Sequence, residues 1–466
     1  AVLEKEASSL EPPLDNQPSM PPAEVIAEVE PKRAPALAVL DQEPAPLPRP
    51  MEPAKAVDAG AVATLEADVQ RRKLELLDLR FRELDILGAK TPNQQRVGAS
   101  LKSFGVMSGH PLVEGLLGSK AGEIPDFESL SGDMHATLSG VLPNDSRFVA
   151  RVALDRLRMR LAEPLVAEYS LVDSPLLADL SPGRGAFAFL PAPKESIFWA
   201  QAYGGRTHAS GDGNASGYYS NSGGLVLGVD SVASNDWRLG LLASLGSTSL
   251  KTDTGRASID NYRLGVYGGT QLQGIGLRLG ANLAWHQIDT KRQAHWFGLT
   301  ENNEASYDAV STELYGELAY PMATPVAVFE PFIGVSHVSV RADGFKEDGA
   351  ITGLAGSSAT THTSVVTTGL HVSHKMKPND ATTLTARGML GWSHAFDDTS
   401  PEASLGFVGA DRFKVQGLPM ARERTTVELG LDAGVGHNTS LGVAYTRQFA
   451  GAITDSAVEA NVQFRF

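Results

Sequence analysis

The sequence contains no cysteine among its 466 residues. Disulfides, thiolate metal sites and cysteine nucleophiles are therefore excluded. It also contains no stretch that approaches the roughly 18 apolar residues required by a membrane-spanning helix. This second absence leaves a membrane possible, because a spanning β-strand needs only about 9 to 11 residues of alternating character.

The chain lacks an excess of positive charge, since its 40 Lys and Arg residues are outnumbered by 54 Asp and Glu residues. A nucleic-acid partner needs a basic surface, so this balance argues against one. No metal-binding or cofactor motif is present, and we expect neither a metal nor another cofactor.

The N-terminal region is marked by proline, because residues 1–55 hold 12 of the 27 prolines. Such a composition predicts a disordered linker over residues 1–60. The chain starts at Ala1 without a signal peptide, so we expect that a signal has been removed or that a longer protein precedes it. In the next region, residues 61–143, helical spacings begin at Thr91, whereas Val62–Leu87 is compatible with a helix or a strand.

A cationic helix is predicted from Arg147 to Leu161, because this stretch has no Gly or Pro and follows the capping types Asn144, Asp145 and Ser146. Its charged residues are Arg147, Arg151, Arg156, Arg158 and Arg160, with Asp155 as the one acid. So many cations suit either a solvated surface helix or a helix inside a polar lumen. We assign the helix and its connection to residues 144–195.

From Ile197 the apolar period changes to two and remains so to the end, which predicts strands throughout residues 196–466. Twelve strands can be placed, at Ile197–Thr207, Gly223–Asp230, Trp237–Leu250, Ser258–Thr270, Gly276–Ile288, Tyr307–Tyr320, Val326–Val338, Thr363–Lys375, Ala381–Ala395, Arg422–Gly434, Thr439–Gln448 and Asp455–Phe466. Connections after even-numbered strands are short, whereas Asp289–Ala305, Ser339–His362 and Phe396–Ala421 are long and polar. Such an asymmetry is typical of an outer-membrane barrel, which has an even number of strands.

The two faces of the strands differ in polarity. Leu239 and Leu241, Leu279 and Leu283, and Leu390 and Trp392 belong to apolar, outward sets. The interleaved residues are polar, and a water-filled or plugged lumen would accommodate them: Arg238, Arg263, Arg278, Glu313, Glu317, Glu330, Arg387, Arg424, Glu428, Asp432 and Arg465. Aromatic girdles are predicted from residues near strand ends: Trp199, Trp237, Tyr262, Trp285, Tyr320, Trp392, Tyr445 and Phe466.

Short motifs in a fixed order carry a family resemblance. They are TPNQQRV (residues 91–97), LSGDMHA (130–136), DSRFV (145–149), LDRL (154–157), FWAQAYG (198–204), WRLG (237–240) and the final VQFRF (462–466). From Thr91 to Phe466 the chain resembles the translocator of a type Va autotransporter of Gram-negative bacteria. Because no β-helical passenger precedes Thr91, we expect the effector domain to be missing or very short.

The resemblance implies an all-β fold, a 12-stranded antiparallel transmembrane barrel with an α-helix threaded through its pore. Residues 1–60 would be a linker or a passenger remnant, and residues 61–143 a pre-barrel, autochaperone-like region. The implied partners are outer-membrane lipid, the barrel assembly machinery, periplasmic chaperones and the chain's own passenger, with the protein a monomer. The last strand would carry the assembly signal, at Val462, Phe464 and Phe466. Physical reasoning adds lumen partners for the cationic helix: Glu313, Glu317, Glu330, Glu428 and Arg387.

Catalytic candidates are few. Asn144, with Asp145, is a weak candidate for passenger self-cleavage, and helix capping is the favoured alternative. His371 and His374 fall on opposite faces of a strand and therefore cannot share a metal. His286 and His394 are predicted to point into the lumen, with His362 and Ser364 near a loop base. A barrel hydrolase or a passive porin therefore stays open as an alternative to the translocator, although no nucleophile elbow is present.

Overall fold

The computed structural model describes residues 59–105, 108–120, 123, 125–172, 196–233, 237–379, 382–397, 399–436 and 438–466. Within these ranges, the side chains of residues 59, 83–87, 145 and 160–172 are left undescribed. The predicted linker up to residue 58 and most of the predicted connection, residues 173–195, lie outside the described residues.

Among the described residues, five helices precede the strands. They are α1 Ala59–Leu87, α2 Pro92–Ser103, α3 Pro111–Gly118, α4 Phe127–Ser131 and α5 Asp133–Val172. Val62–Leu87, for which helix and strand were both open, is thus helical. Across the described ranges, none of the helices combines the length and apolarity needed to span a membrane.

The predicted N-terminal cap at Asn144 is wrong, because α5 begins earlier, at Asp133. Gly132 takes a left-handed conformation (φ 66°), which ends α4 and allows the chain to turn into α5. Pro143 lies inside the helix and donates no backbone hydrogen bond. Leu138 and Leu142 beside it are almost fully buried, and this packing offsets the loss.

In the part of the chain that the structure describes, seventeen strands follow: β1 Ser196–Ala209, β2 Tyr218–Val232, β3 Arg238–Lys251, β4 Gly255–Leu272, β5 Ile275–Trp296, β6 Leu299–Ala319, β7 Met322–Ala323, β8 Val328–Ala342, β9 Phe345–Lys346, β10 Leu354–Gly356, β11 Ala359–Asn379, β12 Thr382–Ala395, β13 Glu402–Phe407, β14 Phe413–Gln416, β15 Glu423–Val435, β16 Thr439–Ala450 and β17 Ile453–Arg465.

The long strands form one closed antiparallel barrel. Its order is β1, β2, β3, β4, β5, β6, β8, β11, β12, β15, β16 and β17, and β17 pairs with β1 from Ile197↔Arg465 to Ala209↔Ile453. The predicted 12-stranded antiparallel barrel is confirmed. Closure leaves no unpaired sheet edge, which is the condition for a sheet to stand in lipid.

The connections at the two ends of the barrel differ. One end has short connections, such as the Gln273–Gly274 turn between β4 and β5, where both residues have positive φ. The prediction of a long polar loop at Asp289–Ala305 is wrong, because β5 and β6 continue to a tight turn at Phe297–Gly298. We call the two ends the short-turn end and the long-loop end.

Side chains on the outer wall are apolar, as predicted. Leu239, Leu241 and Leu245 on β3 are between 52% and 59% exposed, whereas the interleaved Arg238 and Ser244 are buried. Among the predicted girdle residues, Tyr262, Trp285, Tyr320, Trp392, Tyr445 and Phe466 are exposed, but Trp199 is not. Trp199 is only 2% exposed and lies inside the barrel, since its neighbour Phe198 holds the outward position.

A cap of helices and loops stands at the long-loop end. It comprises α1 to α4, the tip of the β5–β6 hairpin and a second sheet in the order β14-β13-β10-β9. One apolar core joins these parts, with Leu101, Leu112, Trp296, Leu354 and Leu405 among its most buried members. The long loops are therefore folded against the helices that precede the barrel.

A buried ion pair fastens the cap. Arg292 on β5 bonds both carboxylate oxygens of Glu347, at 3.0 and 2.5 Å, and donates to the Ser129 carbonyl at 2.7 Å. The same carboxylate accepts from Leu354 N at 2.8 Å and faces His135 Nε2 at 3.1 Å. Burial alone would raise the pKa of Glu347, but the Arg292 charge and these hydrogen bonds lower it to about 2.

Acid should loosen this attachment. Because the folded pKa of Glu347 lies below its usual value of about 4.3, the ionised carboxylate stabilises the cap above that pH by roughly 3 kcal/mol. This stabilisation is lost as the pH falls towards 2, and we expect the protection factor of the Leu354 amide, its exchange rate relative to the intrinsic rate at the same pH, to fall over that window. In Glu347→Gln the protection factor should already be low at pH 6 and should depend little on pH. Unchanged protection of Leu354 down to pH 2 in the native chain would contradict this role.

Candidate functional site

The candidate site is the barrel lumen, which α5 crosses along its length. Near its start, Met134, Leu138 and Leu142 pack with Leu250, Ile288 and Val340, which lie towards the long-loop end. Further along, Val149, Val152, Ala153 and Leu157 pack with Trp199, Tyr267 and Tyr315. Arg156 then bonds residues next to the short turns. The chain therefore enters from the cap and runs towards the end at which β1 begins.

Arg156 is held by Asp230, whose carboxylate accepts hydrogen bonds from three different side chains. Its Nε lies 2.7 Å from Asp230 Oδ2 and its Nη2 lies 3.3 Å from Asp230 Oδ1, while Nη1 donates to Gln463 Oε1. Asp230 also accepts from Arg238 and, at 3.0 Å, from the Tyr267 hydroxyl. All the charged groups are buried, so this geometry satisfies charges that would otherwise be very unfavourable there.

Two glycines in the barrel wall make room for Trp199 and Tyr267, the aromatic residues beside the Arg156–Asp230 ion pair. Trp199 Nε1 donates to Tyr267 Oη at 2.7 Å. A Cβ at Gly240 would overlap the Tyr267 ring, and one at Gly228 would overlap the Trp199 indole. Both rings thus lie flat against neighbouring strands, which fixes the hydroxyl that donates to Asp230.

Arg158 makes the second charged contact between helix and wall. Its guanidinium lies 3.3 Å from Glu317 and 3.6 Å from Glu330, and it also pairs with Asp155 one turn earlier on α5. Arg278 on β5 shares the same two glutamates at 2.5 and 2.7 Å. Two of the predicted lumen partners, Glu317 and Glu330, therefore do contact the helix.

The other predicted lumen residues lie in the wall. Glu313 accepts from Asn282 at 2.9 Å, and Glu428 pairs with Arg387, which also bonds Asp432 at 2.9 Å. A cavity of about 580 Å³ separates α5 from this side of the wall and is lined by Glu330, Arg387, Glu428 and Asp432. Arg147 and Arg151 line a second cavity of about 210 Å³. The side chain of Arg160 lies outside the described residues.

Asn144 lies in the lumen instead of at a helix end. Its Oδ1 accepts from Arg424 Nη1 at 2.7 Å. The next residue's side chain, that of Asp145, is outside the described set. Arg263 donates to the Ser146 carbonyl at 2.9 Å, so this part of α5 is tied to the wall by two arginines.

The histidine predictions have mixed outcomes. His286 points into the lumen as predicted, facing Asn261 through Nδ1 and Ser311 Oγ through Nε2 at 2.8 Å. These three residues and Ser146 beside them are at most 9% exposed, so a substrate has no access to the serine. His394 does not point into the lumen. It shares the outward face with Trp392 and Phe396, two positions to either side, and its ring packs against both.

The remaining candidates are structural. His371 contacts Phe332 at the lumen, whereas His374 is exposed and contacts the Val326 carbonyl, so the two histidines do lie on opposite faces. His362 stacks on His337, and His337 Nδ1 lies 2.9 Å from Ser364 Oγ on the outer wall. Among the described residues no group of three or more His, Asp or Glu side chains is placed to hold a metal ion.

A family model described as the autotransporter β-domain matches residues 198–446, just over half of the chain. The chain belongs to the autotransporter family. The predicted resemblance is therefore confirmed, and the barrel is an outer-membrane translocator domain for secretion and surface anchoring of a passenger.

Solved autotransporter barrels are similar to this one. The translocator domain of NalP from Neisseria meningitidis gives a TM-score of 0.47 at 16% identity, covering 66% of this chain and 98% of that chain. The transport unit of AIDA-I from Escherichia coli gives 0.43 at 18% identity, covering 59% and 92%.

Two curated relatives extend the comparison. Both are named extracellular serine protease, both come from Serratia marcescens, and they are 30% and 29% identical to this autotransporter over 367 residues. The alignments cover 78% of this chain but only 33% of each relative, so the chain spans about one third of their length. The protease activity in their names is that of the whole relatives.

Proposed function

We propose that α5 is the part of the chain left in the pore after export, with the cap at the cell surface and the short turns in the periplasm. The observation that carries this proposal is the course of α5, whose described side chains pack from the cap through the lumen as far as Leu157, at the level of the short-turn end. Long loops on the outside and short turns on the periplasmic side are the general rule for such barrels. An exported passenger would continue from the N-terminal side of the cap.

The charged contacts of α5 support a role as a plug that stays in place. Arg156 and Arg158 are paired with wall carboxylates, and expelling the helix would leave Asp230, Glu317 and Glu330 with fewer partners. A passive porin is disfavoured because the helix occupies the lumen. A polar cavity beside Arg387 and Glu428 remains between the helix and the wall.

We also propose that β17 carries the signal read by the barrel assembly machinery, after delivery by periplasmic chaperones. Phe464 and Phe466 are 46% and 74% exposed, on the outer wall of the strand that closes the barrel against β1. Val462 lies two residues before Phe464 and therefore shares this face. A signal on the seam would couple recognition to the last step of closure.

Passenger release by Asn144 is a further part of the proposal. Attack of its side-chain nitrogen on its own backbone carbonyl would break the bond to Asp145 and leave a cyclic imide on the released part. The position inside the lumen and the hydrogen bond from Arg424 to Oδ1 support an oriented side chain. Mass spectrometry should then find a barrel fragment that begins at Asp145, and its absence from native membranes would dismiss the proposal.

A reporter placed before Ala1 tests the direction of export, in an Asn144→Ala chain so that the proposed cleavage cannot detach it. Intact cells should bind antibody against this reporter, whereas an epitope inserted in the Gln273–Gly274 turn should react only after the outer membrane is permeabilised. The same assay tests the assembly signal, since Phe466→Ala should lower the amount of folded barrel and of displayed reporter together. Surface reactivity of the turn epitope, with a hidden reporter, would contradict the proposed direction.

A further inference from the structure

Helix α1 has a second apolar face that the cap does not cover. Leu77 and Phe81 are buried in the cap core, at 7% and 3% exposure. A separate stripe remains largely open to solvent. Its members and their exposures are Val62 39%, Leu65 67%, Val69 46%, Leu76 41% and Leu79 60%.

The spacing of this stripe is that of a coiled coil. Val62, Val69 and Leu76 recur every seven residues, and Leu65 and Leu79 follow three residues after Val62 and Leu76. These are the a and d positions of a heptad repeat, with Arg72 at the intervening d position. In a parallel coiled coil, Val at two of the three a positions together with Leu at d favours two strands.

The charged side chains that flank the stripe, at the e and g positions, favour a second α1 as the partner and a parallel orientation. Asp68 and Glu75 occupy g positions, while Lys73 and Arg80 occupy the e positions that follow them. In a parallel pair of identical helices, Asp68 faces Lys73 of the second copy and Glu75 faces Arg80 of the second copy. An antiparallel pair with the same apolar layers would instead bring Asp68 near Glu75, which is repulsive, and Lys73 near Glu66, which only offsets that repulsion.

The cap holds these cations beside the stripe. Lys73 lies 3.4 Å from Glu114 but its side chain is still 40% exposed, and Arg80 donates to the Ser119 carbonyl. Both contacts hold these side chains along one edge of α1. The side chains at the e positions are therefore already held in place in the single chain.

The stripe needs a helical occupant, and the preceding residues of this chain are unsuited to that role. Residues 1–55 contain 12 prolines and offer no matching heptad. A second copy of α1, by contrast, is complementary in both apolar spacing and charge. We propose that this autotransporter associates through a parallel two-stranded coiled coil formed by α1 of two copies. The family resemblance implied a monomer, and this proposal departs from that expectation.

Cysteine cross-linking of the full chain tests this proposal, because the native sequence supplies no thiol. In Val69→Cys the two thiols of a parallel pair face each other, so mild oxidation in outer-membrane vesicles should give a disulfide-linked dimer. Leu74→Cys is the matched control, since Leu74 is 54% exposed on α1 but lies off the stripe. We expect several-fold more dimer from Val69→Cys.

A second variant separates association from folding. Leu65→Glu with Leu79→Glu should make the detergent-solubilised chain monomeric by light scattering, while heat-modifiable migration shows that the barrel remains folded. Equal cross-linking at positions 69 and 74, or a native chain that is monomeric, would overturn the proposal. So would a Val69→Cys thiol that is shielded from maleimide in a monomer, because another segment would then cover the stripe.

Discussion

Asp230→Asn is expected to loosen α5 in the lumen and to destabilise the filled barrel by about 3 to 5 kcal/mol, the usual effect of removing one member of a buried ion pair. The substitution keeps the size of the side chain but removes the charge that faces Arg156 and Arg238. Two buried guanidinium groups would then lack their counter-ion. The effect should appear as a lower heat-modification midpoint and as faster proteolysis of residues 147–159.

Asp260→Asn is the matched control for this experiment. Asp260 lies on β4 with its side chain exposed, so the same chemical change should leave the midpoint almost unaltered. Arg156→Met combined with Asp230→Asn should recover part of the loss, because one of the unpaired cations is removed. If Asp230→Asn and Asp260→Asn behave alike, the Arg156 contact does not hold the helix.

Leu241→Arg is expected to impair insertion, with a cost of about 2 to 4 kcal/mol for a charge near the middle of the bilayer. Leu241 is 59% exposed on the outer wall and is flanked along β3 by exposed Leu239 and Leu245. The Leu241 side chain contacts lipid if the apolar belt, the band of exposed apolar residues around the outer wall, is the membrane-spanning zone. The measurement is the fraction of heat-modifiable barrel in the outer membrane, together with the urea midpoint of refolded protein in vesicles.

Ser249→Arg provides the comparison on the same strand and the same face. Ser249 is exposed on β3 towards the long-loop end. Its register partner on β2 is Asn221, whose side-chain oxygen accepts a hydrogen bond from Arg206. A cation is already accommodated at this level, so we expect near-normal insertion. Similar losses from both substitutions would show that β3 is sensitive to Arg at any height, and that the belt is not defined by lipid.

The barrel could be predicted because its information is local. Apolar and polar side chains alternate with a period of two residues along each strand. Because one face of the sheet must be apolar towards the membrane, this alternation fixes the register of strand pairing, and Leu239 and Leu279 face outward as expected. The cap was harder to predict. Asp289–Ala305 is as polar as a loop, yet both of its strands continue beyond the apolar belt, where neither face must be apolar. Helix α5 was cut short because the capping types Asn144, Asp145 and Ser146 resemble a helix start, and packing in the lumen overrides that preference.

The site was partly predictable for the same reason. Excess arginine between residues 147 and 160 marked the helix, and Glu317 and Glu330 follow from inward positions on their strands. Asp230, the principal partner of Arg156, was missed because it is 74 residues away and lies near the end of β2, whose other inward positions are small or apolar. An inward acid at a strand end is a usable signal. For His394, counting two positions from Trp392 would have given the outward face.

Single-channel conductance tests most directly the claim that α5 fills the lumen of this translocator. The intact chain, reconstituted in planar bilayers, should show only small conductance through the cavity beside Glu428 and Arg387. Deleting residues 147–161 should open a much larger channel from the same barrel. A large conductance in the intact chain, unchanged by the deletion, would contradict the account.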